Sequence, residues 1–229
     1  MTRVNRTHLR SFKTAAAMPA LTASELSAIQ PIPRRPESEY LDPLDTIWID
    51  ALERMGLRVV FANGVYADYD GKGTLAIGTP RNLDPDDCVA QIVFHEICHW
   101  LVEGEESVKQ VNWGVINTTL RDLGREYASL RVQAALAEPH GLRRFLANTT
   151  DHRAYYDALP DDPFALSDDG TAELAEIAMA RASNAPWAPA LQHALAATQT
   201  IVAAAAPSAR PPSSYCLYEP PPERRSLGS

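Results

Sequence analysis

The sequence predicts an α+β fold, with a small mixed or antiparallel sheet packed on one metal-bearing helix and further helices completing the domain. Three observations predict it. Short runs of β-forming residues, separated by glycine-containing turns, occupy residues 57–78. Helical apolar spacing behind strong N-terminal caps appears on both sides of that region. One of the helical stretches carries His95-Glu96-Ile97-Cys98-His99, an H-E-x-x-H motif.

Residues 1–40 are polar and interrupted by Pro31, Pro33 and Pro36, and read as a flexible N-terminal arm. Residues 41–206 read as a single metal-binding domain. It opens at Asp42-Pro43, where the aspartate suits the N-cap and the proline the first helical turn. Ile47, Trp48, Ala51, Leu52 and Met55 then form an apolar stripe, and Gly56 offers a C-terminal stop. Leu57 to Ala62 reads as a strand ending at Asn63-Gly64, a hairpin signal that makes Val65 to Ala67 the returning strand. A second turn at Asp70 to Gly73 leads into a third strand from Thr74 to Ile77.

Asp84-Pro85-Asp86-Asp87 combines a cap, a first-turn proline and negative charge at the positive end of the helix dipole. This predicts a helix from there to about Glu103, stopped by Gly104. On it Cys88, Ile92, His95, Glu96 and His99 fall on one face, with Val89, Val93, Ile97, Trp100 and Leu101 on the core side. A long helical pattern runs from about Asn117 to Ala137, and weaker ones cover Ala172 to Ala182 and Ala188 to Ala205. From Pro207 to Ser229 proline, serine and arginine dominate, and the segment reads as a disordered tail.

Composition narrows the function classes. The net charge of -8 offers no basic footprint for nucleic acid or an anionic membrane. No segment approaches the length of a membrane span. Three cysteines, Cys88, Cys98 and Cys216, suit neither a disulfide framework nor a structural zinc site, and favour a cytoplasmic protein. Cys98 reads as a small apolar packing residue.

The H-E-x-x-H spacing carries chemistry because residues four apart on a helix lie one turn above each other. Both imidazoles can therefore reach one ion, with Glu96 beside it as an acid/base residue. Catalytic zinc normally takes three protein ligands plus water. Glu126 is the leading candidate for the third, since a carboxylate among Leu123, Tyr127, Leu130 and Ala134 is costly unless paired or metal-bound. His140 and His152 are the alternatives. Glu103 lies a turn beyond His99 and converges less readily. Tyr127, His140, His152, Tyr155 and Tyr156 are the candidates for stabilising developing negative charge, and the sequence does not choose among them.

A helix bearing H-E-x-x-H after a small sheet, with a glutamate on a later helix, resembles the zincin metallopeptidases of the glutamate-ligand type. A closer local likeness is to the elongation factor P hydroxylase family. Its HExxHW…G…V(D/N)(F/W)G pattern is similar to His95-Glu96-Ile97-Cys98-His99-Trp100, then Gly104, then Val111-Asn112-Trp113-Gly114. Glu126 followed by Gln133-Ala134 is similar to that family's glutamate-containing helix. The resemblance implies a metal held by His95, His99 and Glu126. Two functions are expected from it: a zinc (Zn2+) hydrolase acting on a peptide or protein substrate, or a non-haem iron (Fe2+) hydroxylase of a protein side chain. A third reading leaves the motif structural, which the intact Glu96 argues against.

Overall fold

The computed structural model describes residues 37, 40–79, 82–84, 86–116, 120–149, 151–165 and 170–209. The arm apart from residues 37 and 40, and all but the first three residues of the tail, therefore lie outside the described residues, as does Cys216. Chain contacts separate Met1–Tyr40 from Leu41–Ser229, and every described helix and strand belongs to the second unit.

The fold is mixed α+β, with six helices and one three-stranded sheet among the described residues. Helix α1, Pro43–Arg54, starts where the sequence places it, and the Asp42 carboxylate accepts a hydrogen bond from the Leu44 amide at 2.8 Å. Such a cap contributes about 1 kcal/mol. Its stripe buries Trp48, Ala51 and Leu52.

Strands β1 (Arg58–Ala62), β2 (Ala67–Tyr69) and β3 (Thr74–Gly78) lie in the order β1-β3-β2. The Asn63-Gly64 hairpin is thus a correction: β1 does not pair with β2 but runs parallel to β3, with Val59 opposite Leu75 and Phe61 opposite Ile77. The antiparallel hairpin joins β2 and β3 across the Asp70–Gly73 turn. The reason lies in β3, whose Leu75 and Ile77 are fully buried and take the central position. The flanking strands are more exposed, and Phe61 is 47% exposed. The returning strand also starts two residues later than Val65.

Helix α2, Val89–Glu103, carries the motif and ends at Gly104 as expected. Its start needs a second correction. Cys88 is the N-cap, and its amide donates to the Gln91 side chain at 2.7 Å. The aspartates form a turn of their own, in which the Asp87 carboxylate accepts from the Asp84 amide at 2.8 Å. At its other end Gly104 adopts φ +86°, and the Arg181 guanidinium donates to the Leu101 and Val102 carbonyls at 2.6 and 2.7 Å. This supplies the orphan carbonyls of the last turn with a cationic donor.

The expected division of α2 into two faces does not hold. Every residue from Val89 to Val102 is buried except Glu96, which is half-buried. Helix α2 packs against α1, α3 (Leu123–Ala137) and α5 (Thr171–Ala182). Its Val93, Phe94 and Ile97 share one core with Leu75 and Ile77 of the sheet.

Helix α3 is shorter than expected. Among the described residues it is preceded only by a 3-10 turn, Leu120–Asp122, because the Asp122 carboxylate is pinned by the Ile116 amide at 2.8 Å and by Arg121. The short α4, Arg153–Ala158, has no helical signal in the sequence. Helix α6, Ala190–Ala205, closes the unit against α1, where the Trp48 indole N–H donates to Thr198 Oγ1 at 3.0 Å.

Candidate metal centre

Adjacent helices supply the candidate ligands. His95 and His99 sit one turn apart on α2, and Glu126 projects from the first turn of α3, which packs alongside. All three are buried, at 8%, 4% and 1% exposure. Such burial is unusual for a carboxylate and demands compensation.

Their atoms converge. His95 Nε2 and His99 Nε2 lie 3.1 Å apart. Glu126 Oε1 is 3.5 Å from the first, and Oε2 is 3.2 Å from the second. A tetrahedral ion with bonds of about 2.0–2.1 Å separates its ligands by about 3.3 Å, so these spacings are compatible with ligands on a shared ion. The group can hold a metal ion.

The surrounding hydrogen bonds fix which atoms face inward. Gln133 Nε2 donates to the Leu146 carbonyl at 2.6 Å, which turns Gln133 Oε1 towards His95 Nδ1 at 3.0 Å. Ser129 donates its hydroxyl proton to the Arg125 carbonyl at 3.0 Å, leaving its oxygen to accept from His99 Nδ1 at 3.1 Å. Each histidine thus spends its Nδ1 proton on an acceptor, and in the neutral rings both Nε2 lone pairs point at the same place. Glu126 adds a carboxylate whose Oε2 makes no hydrogen bond. With both rings neutral, three buried acceptors face one another, an arrangement that suits a cation at their centre.

In the metal-free chain a proton fills that place. Burial alone would lower the His95 pKa, but the Glu126 carboxylate outweighs it and raises the value to about 9. Burial pushes Glu126 up, and the pull of the two imidazoles overrides it and holds the carboxyl far below the usual range.

Beside the cluster lies a cavity of about 230 Å³, bordered by His95, Glu96 and Ile92 of α2, by Tyr66 and Ala67 at the start of β2, and by Thr149. Glu96 is the one half-buried residue of the motif and faces this space. Its Oε2 accepts the Trp113 indole N–H at 2.7 Å. Trp113 belongs to the turn Val111–Gly114, in which Asn112 (φ 46°, ψ 43°) and Trp113 (φ 56°, ψ 13°) both adopt the left-handed region. For residues with a Cβ that costs about 1–2 kcal/mol each.

The remaining candidates lie elsewhere. Tyr127 stacks on Tyr155 at 3.7 Å and meets the edge of His152 in a second apolar cluster with Leu130 and Tyr156, and it does not border the cavity. His140 pairs with Gln199 at 3.1 Å. Neither His140 nor His152 joins the ligand group, which leaves Glu126 as the third member. Glu103 is bound by Arg125 at 2.9 Å.

Ser129 and Gln133 touch the outer nitrogens of the two histidines; sequence reasoning missed Ser129 altogether and gave Gln133 no contact with His95. A signal was present, because Glu126, Ser129 and Gln133 recur at helical spacing and so share one face of α3. Tyr66 and Thr149 carry no local signal, since the fold brings them to the cavity from distant segments.

Neither a protein-family model nor a curated protein nor a solved structure matches this chain.

Proposed function

We propose that the chain is a mononuclear metalloenzyme, a zinc hydrolase of peptide or amide bonds, with His95, His99 and Glu126 as ligands and Glu96 as general base. The observation that carries it is the donor-free convergence of two Nε2 lone pairs and a buried carboxylate. A divalent ion held there supplies Lewis acidity, polarising a carbonyl and lowering the pKa of a coordinated water. Glu96 has one oxygen occupied by Trp113, so Oε1 is left to take the proton of the attacking water and return it to the departing amine. Gln133 and Ser129 keep both imidazoles oriented through the cycle.

The fold supports a zincin-like reading through the mixed sheet ahead of the motif helix. A second reading, an iron-dependent hydroxylase of a protein side chain, draws on the same ligand set. It is favoured by one observation: Trp100 and Trp113, the two tryptophans of the resemblance to elongation factor P hydroxylases, stack at 5.6 Å beside the motif.

Elemental analysis of the full chain, purified without chelator, tests both readings. One zinc per chain, lost in His95→Ala, His99→Ala and Glu126→Ala, supports the hydrolase, and peptide cleavage abolished by Glu96→Gln completes the case. One iron per chain favours the hydroxylase. A chain that binds neither metal after reconstitution overturns the proposal.

A further inference from the structure

We infer that Trp113 is a positioning residue for Glu96: its indole N–H fixes one carboxylate oxygen and so orients the other towards the cavity for proton transfer. The inference deepens the proposed function and rests on the reading of Glu96 as the acid/base residue.

Packing alone explains a buried tryptophan, and Trp113 is 2% exposed. Packing does not explain where its N–H goes. The indole nitrogens of Trp100 and Trp187 are buried without a hydrogen-bond partner, so this core accepts unpartnered indoles. Trp48 meets a hydroxyl. Trp113 alone among the four is given a carboxylate, at 2.7 Å.

The backbone is also shaped around this contact. Two successive residues with side chains occupy the left-handed region, and such conformations persist only where the surroundings enforce them. Here they do. The Asn112 side chain accepts from the Tyr69 amide at 2.7 Å, the Tyr69 ring stacks on Trp113 at 3.8 Å, and the Tyr69 hydroxyl donates to the Val108 carbonyl at 2.7 Å. Gly71, in the β2–β3 turn, lies so close to this loop that a Cβ there would come within 2.9 Å of Gln110 and Val111 backbone atoms. The sheet hairpin, the strained turn and the Trp100 ring therefore act as one clamp, and its only polar product at the site is the bond to Glu96.

The consequence is directional. A carboxylate on a helix side chain rotates freely about its last bond, and its two oxygens are equivalent until one is bound. With Oε2 held, Oε1 is the oxygen left for proton transfer, and the ordering entropy is met before substrate arrives.

The test uses full-length zinc-loaded protein and acetohydroxamic acid, which must surrender its hydroxyl proton to a nearby base when it binds a metal. The O–H bond breaks and the proton passes to the Glu96 carboxylate. Trp113→Phe keeps an aromatic ring, although a smaller one, and removes the N–H. In the wild-type background it should weaken acetohydroxamate binding about tenfold while leaving one zinc per chain. In a Glu96→Gln background the same change should alter binding by less than about twofold, because the effect acts through Glu96. Equal losses in both backgrounds would make Trp113 a packing residue and overturn the inference. The contact is also tested without touching Trp113 and without metal. In the nuclear magnetic resonance spectrum Glu96→Ala should move the Trp113 indole proton upfield, and an unmoved resonance overturns the inference even if Trp113→Phe fails to fold. Absence of zinc binding by the wild type would instead count against the metal assignment.

Discussion

At the residue scale the centre depends on pairs. His95 and His99 are legible in the sequence because their spacing is itself the signal. Glu126 was legible because a carboxylate in an apolar stripe needs a reason. Gln133 and Ser129 lie outside the ligand group, yet their contacts with the two Nδ1 atoms leave each Nε2 facing Glu126. Gln133→Ala should therefore lower zinc affinity by about 10–100-fold in competition with a chromophoric chelator, with the melting curve of the metal-free protein shifting far less. Proton and metal compete for the same lone pairs. His95 with a pKa of about 9 binds a proton throughout the neutral range, so zinc affinity should rise about tenfold per pH unit up to about pH 9 and flatten above it. A pH-independent affinity between pH 7 and 9 would contradict this. The sign for folding is the reverse. The raised His95 value, against an ordinary 6.5, stabilises the metal-free chain fully below pH 6.5, and that contribution is lost as pH rises through 9. The depressed Glu126 value stabilises it above its ordinary 4.5, and that contribution is lost on acidification. Thermal melts of the metal-free protein should accordingly peak between about pH 5 and 6.5.

At the element scale, local signals succeeded where they were isolated and failed where two competed. Asp42-Pro43 began a helix because nothing else claimed the aspartate. Asp84 to Asp87 looked like an even better start, but Asp87 is held by Tyr66, at 2.7 Å, and by Thr149, and the helix waits for Gln91 to cap Cys88. Asn63-Gly64 does turn the chain, with Gly64 at φ +77°, but the turn does not choose the partner strand. Burial of Leu75 and Ile77 does, and partner choice is long-range information. At the far end of α2, Arg181 reaches across from α5 to the Leu101 and Val102 carbonyls. Arg181→Leu should cost about 1–3 kcal/mol of stability in denaturant melts, because it leaves the Leu101 and Val102 carbonyls without their cationic donor.

For the whole unit the α+β class was legible, since it needs only the order of elements. The path of the sheet and the walls of the cavity were not, because Tyr66, Glu96 and Thr149 meet only after the chain has folded. A bound ion would join α2 to α3 and stabilise the folded form by mass action, by about 2.7 kcal/mol when its free concentration is a hundredfold above Kd. Chelation should lower the melting temperature by several degrees while far-ultraviolet circular dichroism before melting stays unchanged, since the core around Trp48, Phe94 and Ile97 does not include the ligands. Loss of helical signal on chelation would show instead that the ion is needed to fold.

Helix α2 has neighbours on every side and no solvent face along nearly its whole length. A substitution there has nowhere to relax, so the helix is a poor place for sequence drift and a poor target for laboratory evolution. New specificities are more accessible at Ala67, whose small side chain borders open space, than at Tyr66 and Thr149, which are tied to Asp87. In a saturation mutagenesis screen scored for soluble expression, residues 89–102 should form a band of intolerance relieved at Glu96, with Ala67 on the facing wall of the cavity permissive.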